Sequence, residues 1–120
     1  MGKSEFIEQV KALGLTPQEP DAGKVYFEYI VPVGKNIGKK IFLGFEVVGD
    51  FPMNCPPGPH IKPIDTGWVE HPQNVSESPF NNVMQNEGWR YWSRPFKDWN
   101  RSERTVKAYL AHIKNIMMTL

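Results

Sequence analysis

The stretch VYFEYIVPVGKNIGKKIFLGFEVV, Val25 to Val48, decides the fold. Its two halves, Val25 to Val33 and Lys39 to Val48, are rich in β-branched and aromatic residues, and GKNIG between them supplies a flexible connection. That pattern predicts an antiparallel hairpin. In the second half Ile41, Leu43, Phe45 and Val47 alternate with Phe42, Gly44, Glu46 and Val48. One face is wholly apolar and the other only partly, which predicts a sheet with one face covered by helix.

Two helices are available to cover it. Upstream, Ser4 can cap a short helix whose Phe6, Ile7, Val10 and Leu13 follow helical spacing, and Gly14 is a natural left-handed stop. Downstream, Asn100 and Glu103 form a capping pair ahead of Val106, Tyr109, Leu110, Ile113, Met117 and Leu120, which recur at helical spacing. Residues 16–24 read as punctuation. In DFPMNCPPGPHIKP, Asp50 to Pro63, five prolines remove ladder donors and hold φ near about −65°, leaving an extended or polyproline-like run. HIKPI predicts a third strand at the sheet edge. Residues 65–88 carry Asn74, Asn81, Asn82, Gln85 and Asn86 without sustained periodicity and read as a long ordered loop, anchored by Trp68, Phe80 and Val83. GWRYWSRPFKDW then concentrates Trp89, Trp92 and Trp99, with Trp92 and Trp99 expected to be buried against the Val106 and Tyr109 face of the last helix. The chain of 120 residues is therefore expected to be one α+β domain, residues 1–120, without internal repeat.

Bulk composition excludes more than it assigns. With 14 Lys+Arg against 13 Asp+Glu there is no global field to recruit nucleic acid or an anionic membrane, and neither partner is expected. Interleaving of Trp89, Trp92 and Trp99 with Arg90, Arg94 and Arg101 suggests base stacking, but Glu87 and Asp98 share the segment, and large aromatics in a small domain more often form core. A lone cysteine makes no internal disulfide, the charged N-terminus lacks a secretory h-region, and there is no transmembrane run, so a cytoplasmic location is expected. One Cys and the histidines His60, His71 and His112 do not make a metal site by spacing, and no phosphate loop or other cofactor motif is present, so no cofactor and no metal are expected.

The candidate chemistry is sparse. Cys55 lies among Asn54, Pro56 and Pro57, with no helix N-terminus or cation nearby to stabilise a thiolate, and reads as a small hydrophobe in a proline turn. His71 is a candidate acid–base residue because imidazole titrates near neutrality.

The order of these elements resembles the ubiquitin-conjugating (UBC) superfamily, and its prokaryotic UBC-like members in particular. That family opens with a helix, runs a meander of strands into a YP…PP segment, passes an HPN tripeptide and a long active-site loop, and continues through a tryptophan segment into a helix. Here Phe51-Pro52 and Pro56-Pro57 stand for the first motif, and HPQN, His71 to Asn74, stands imperfectly for the second. YWSRPFKDWNRSERTVKAYLAHIKNIM is similar to the tryptophan segment and following helix. The resemblance implies a UBC-like fold with an N-terminal helix, an antiparallel meander sheet, an active-site-like loop and a C-terminal helix. It also implies an active-site cysteine downstream of the HPN element, yet residues 72–98 contain none, and Cys55 precedes His71. Ser76 and Ser78 lie in the loop with no activating base evident from sequence.

The reading that follows is a catalytically inactive, variant-like domain. It would bind a ubiquitin-like protein, an activating-enzyme-like protein or a JAB-peptidase-like protein, through His71, Asn74, Phe80 and Trp68. Two rivals stand beside it: an active conjugating enzyme with an unusual acceptor, Cys55 or a loop side chain supported by His71, and an interaction module unrelated to ubiquitin.

Overall fold

The computed structural model describes residues 2–84 and 88–120, so Met1, Gln85, Asn86 and Glu87 lie outside the described residues. Helix α1 (Lys3–Ala12) leads into strands β1 (Gln18–Asp21), β2 (Lys24–Ile30), β3 (Lys40–Glu46) and β4 (His60–Pro63). Strand β5 (Val75–Glu77), helix α2 (Phe80–Met84), strand β6 (Arg90–Trp92), a 3-10 turn (Trp99–Arg101) and helix α3 (Val106–Met118) follow. The architecture is α+β, with an antiparallel sheet of six strands in the order β1-β2-β3-β4-β6-β5.

The hairpin is the longest ladder, running from Lys24↔Glu46 to Ile30↔Lys40. Its inward residues Val25, Phe27, Ile41, Leu43 and Phe45 are buried together with Phe6 and Val10 of α1 and Val106, Tyr109, Ile113, Ile116 and Met117 of α3. Both long helices therefore sit on one face of the sheet. Full burial of side chains of this size contributes roughly 1.5–3 kcal/mol each.

The opposite face is only partly covered. Phe80 of α2 and Trp89 pack over Gly44, where a Cβ would stand 2.7 Å from the Phe80 ring. Trp89 meets Tyr26 edge-on at 5.6 Å. Gly44 is thus the gap in the pleat that admits this second aromatic cluster.

Several expectations are corrected. Strand β4 is interior, flanked by β3 and β6, because the chain returns after the loop and pairs Tyr91 with His60. Residues 16–24 contain β1, and residues 65–88 contain β5 and α2 rather than loop alone. Helix α1 is capped at Gly2, with Ser4 inside the helix, while Gly14 does take the left-handed conformation at φ 79°. Helix α3 starts later than the Asn100–Glu103 pair implies: Thr105 is the N-cap, its hydroxyl accepting from the Ala108 N–H at 3.1 Å, and Asn100 lies in the 3-10 turn. Trp92 and Trp99 are buried, but only Trp99 has Tyr109 as a ring neighbour, at 6.5 Å; the ring neighbours of Trp92 are Trp68 and His71. With Trp89 buried as well, these indoles offer no stacking platform to a base. Among the described residues no helix is long and apolar enough to cross a membrane.

Candidate functional site

The loop between β4 and β5 is held by a small number of polar contacts that originate elsewhere in the chain. Asn36, in the β2–β3 connection and fully buried, donates from Nδ2 to the Val69 carbonyl and accepts the Val69 N–H at Oδ1, both at 2.8 Å. A side-chain amide here replaces the strand partner that Val69 lacks. Next along the loop, the Glu70 carboxylate receives three donors: Trp92 Nε1 at 2.7 Å, the His71 N–H at 3.0 Å and Arg90 Nε at 2.8 Å. Trp68 stacks against Trp92 with ring centroids 5.9 Å apart, and the His71 ring meets Trp92 edge-on at 5.6 Å.

His71 connects this cluster to the chain beyond β6. Its Nδ1 lies 2.8 Å from an Arg94 guanidinium nitrogen and 3.3 Å from the Gln73 N–H, and the same guanidinium nitrogen donates to the Gln73 carbonyl at 3.1 Å. The same guanidinium nitrogen stands 3.0 Å from Nε2, so the Arg94 charge faces the ring as a whole, and the Gln73 N–H aimed at Nδ1 favours the neutral imidazole. Burial first, then the Arg94 charge, lowers the His71 pKa against the opposing effects of the Gln73 N–H and Glu70. Asn74 stands at the start of β5 with φ 56°, its carbonyl accepting from the Ser93 N–H at 3.0 Å. Trp68, His71 and Asn74 thus converge at one side of β6, held there by Glu70, which the sequence reading does not single out, and by Arg94, which it reads only as a cation interleaved with the tryptophans.

Two substitutions separate the anchors of this loop. His71→Ala is expected to raise amide hydrogen exchange across residues 65–84 while α3 stays protected, because loops open locally at lower free energy than the core. Asn36→Ala should do the same more strongly, because it removes two hydrogen bonds at once, each contributing about 0.5–1.5 kcal/mol. Unchanged exchange in His71→Ala would make His71 an ordinary surface histidine.

Phe80 is not part of that cluster. It is fully buried on the opposite sheet face, its ring 4.7 Å from both His60 and Trp89. Beneath it lies an arrangement the sequence did not reveal: His60 Nδ1 is 2.8 Å from Ser78 Oγ, and His60 Nε2 is 3.3 Å from a Glu46 carboxylate oxygen. Ser78 Oγ also accepts the Phe80 N–H at 3.1 Å, which leaves the hydroxyl one donor and one lone pair for His60 Nδ1, the direction following the imidazole tautomer. An imidazole does therefore face a loop serine, which corrects the expectation that Ser78 has no base. Ser78 also lines a cleft of about 940 Å³ beside edge strand β5. The base is a poor one, because burial and then the Lys24 charge push the His60 pKa down to about 4. Glu46 does not offset this, being 43% exposed and still solvated, and no hydrogen bond forms at Nε2. With His60 at 1% and Ser78 at 3% exposure, the pair acts as a polar strut that fastens α2 to the sheet.

Cys55 lies in the proline segment, and that segment is tied to the chain's end. The Tyr109 hydroxyl donates to the Pro57 carbonyl at 2.7 Å, and Trp99 Nε1 donates to the Pro52 carbonyl at 3.0 Å. Burial pushes the half-buried Cys55 thiol up to about 11, with a backbone hydrogen bond from Phe96 acting weakly the other way. At pH 7 roughly one thiol in ten thousand is then ionised, the reverse of what a nucleophile needs. Alkylation of Cys55 by iodoacetamide is expected to be slow at pH 7.5 and to rise continuously to pH 10. A rate that levels off below pH 8 would show an activated thiol.

Comparison of the chain with family models, with curated proteins and with solved structures returns no match.

Proposed function

We propose that the protein is a UBC-like domain without catalytic activity that binds a ubiquitin-like protein or another member of a ubiquitin-like conjugation pathway. The observation that carries this reading is the proline segment: it follows a helix-backed antiparallel meander and is bound by Trp99 and Tyr109 to the tryptophan segment and last helix, which is the order of parts that the resemblance implies. The loop that would bear the nucleophile contains no cysteine, and the thiol elsewhere is protonated and half-buried. What remains is a surface, with Trp68, His71 and Asn74 held in fixed geometry by Glu70, Arg94 and Asn36.

The test is a nuclear magnetic resonance titration of the labelled chain with a ubiquitin-like protein, an activating-enzyme-like protein and a JAB-peptidase-like protein from the same genome. Saturable shifts at residues 65–74 with one of them are expected. Absence of binding to all three would overturn the pathway assignment.

A second reading is favoured by the Ser78–His60 contact: an active conjugating enzyme that forms an oxyester on Ser78. It requires α2 to lift, since Ser78 is buried beneath it. An adduct resistant to thiols but cleaved by hydroxylamine, and absent from Ser78→Ala, would establish it.

A further inference from the structure

The sheet has two edges, β1 and β5, and the chain treats them differently. Strand β1 carries Pro20, which has no N–H to offer, a register shift between Gln18 and Asp21, and carboxylates engaged by Lys3 at 2.6 Å and Lys24 at 3.8 Å. These devices stop an edge from recruiting another strand. Strand β5 has no proline and keeps an unbroken register against β6.

That register decides which main-chain groups of β5 face out. In β6 the Trp92 N–H donates to the Pro59 carbonyl at 3.0 Å and the Ser93 N–H to the Asn74 carbonyl at 3.0 Å, so even-numbered residues there turn to β4 and odd-numbered ones to β5. Ser76, opposite Tyr91, therefore bonds inward, while Val75 and Glu77, opposite Trp92 and Arg90, turn their N–H and C=O groups away from the sheet. Among the described residues no hydrogen bond reaches those groups. Ser76 and Glu77 are exposed and Val75 is half-buried, so the edge is open to solvent.

The edge continues past the end of the strand. One step beyond Glu77↔Arg90 the ladder would pair Ser78 with Trp89, but the Asn81 amide takes that place, donating to the Trp89 carbonyl at 3.0 Å and accepting the Trp89 N–H at 2.9 Å. Helix α2 is pinned there, and the cleft of about 940 Å³ is bounded by both elements, with Ser76, Glu77, Asn81, Asn82 and Trp89 in its wall. We propose that the open edge of β5 binds an extended polar segment of a partner protein, which adds a strand to the sheet and runs on into the cleft. An edge that offers N–H and C=O groups at alternate residues is complementary to another extended main chain. Because β5 alone makes only a short ladder, the occupant must draw on the cleft as well. A second copy fits less well: its own strand stops at Glu77 and turns through Pro79 into α2, so self-pairing about Ser76 leaves both clefts unfilled. Ser76 shares the α2 face of the sheet with Tyr91 and His60, and a hydroxyl or amide beside it in the added strand can bond across. The proposal does not depend on the conjugation-pathway reading.

The test pans a phage-displayed library of random peptides on the purified chain, with counter-selection on Glu77→Pro. The Glu77 N–H points out of the sheet, so proline there removes a free donor and no ladder bond, and the variant should melt like the parent. Glu77→Ala keeps the donor and serves as the control. Selected sequences should share Ser, Thr, Asn or Gln at one position, and one of them is synthesised and titrated into the isotope-labelled chain. The expected result is slowed amide exchange at Val75 and Glu77, with Ser76, already bonded, unchanged. Binding should be about tenfold weaker in Glu77→Pro than in Glu77→Ala, as the loss of one hydrogen bond implies. The exchange pattern reads the same contact in the unmutated chain. Failure to select a peptide would overturn the proposal, as would a peptide that binds without slowing exchange at both residues, or that binds the two variants alike. A dimer seen by light scattering and dispersed by Glu77→Pro would assign the edge to a second copy instead.

Discussion

Trp92→Ala is expected to destabilise the protein by about 3–5 kcal/mol, the range for truncating a buried tryptophan. Trp92 is 1% exposed, its backbone N–H donates to the Pro59 carbonyl at 3.0 Å, and its indole joins the core to Trp68, His71 and Glu70. Removing the ring opens a cavity on the helix-covered face and leaves the Glu70 carboxylate without its shortest donor. Because a domain of this size has a net stability of ~5–15 kcal/mol, the loss is a large share of the total. Trp92→Phe keeps most of the packing and loses the N–H, so it should cost roughly 1–3 kcal/mol. Urea unfolding of both variants checks the account. A Trp92→Ala midpoint equal to the parent's would mean that the ring is a surface feature.

Acid should act chiefly through His60. Its folded pKa of about 4 lies below the ordinary value of 6.5, so the unfolded chain takes up the proton first. Stability from this group is complete above about pH 6.5 and is lost as pH falls towards 4; a shift of this size corresponds to about 3 kcal/mol. The groups facing the ring are Ser78, Glu46, Tyr91, Phe80 and the Lys24 charge, and none supplies enough favourable charge to stabilise an imidazolium against burial. Urea unfolding of the parent between pH 7 and pH 4.5 should show a steep decline, and His60→Gln should flatten it. Parallel pH profiles for the two proteins would show that His60 titrates normally and that the strut is not buried in solution.

The sequence disclosed those parts of the fold in which a local pattern and the tertiary outcome coincide. Val25 to Val48 alternates with a period that only a half-covered sheet satisfies, and Val106 to Met117 has a helical stripe that must be buried. Gly14 announced its turn because few residues tolerate a positive φ. Strands β5 and β6 did not announce themselves, being three residues each and depending on pairing rather than propensity. Thr105 is the cap although Asn100 and Glu103 offer a matching pair a few residues earlier, ahead of where the helix begins. At the candidate site, Trp68 and His71 were legible as aromatic and titratable residues in a long loop. Glu70, Arg94 and Asn36 were not, since each acts on a partner more than twenty residues away. Asn36 sits in a glycine-flanked turn where asparagine is ordinary, and only the tertiary structure shows its amide buried. Phe80 reads from sequence as a loop anchor and a binding residue; it is an anchor, but within α2 on the far face of the sheet from His71, and at 0% exposure its ring presents nothing to a partner.

The central claim is that the chain offers binding geometry without an acyl-accepting nucleophile. Incubating it with a ubiquitin-like protein, the matching activating enzyme and ATP, followed by intact-mass analysis with and without dithiothreitol and hydroxylamine, tests this most directly. The account predicts an unmodified mass under every condition, together with full charging of a control conjugating enzyme. An adduct on Cys55 released by dithiothreitol and absent from Cys55→Ser, or one on Ser78 released only by hydroxylamine, would contradict it.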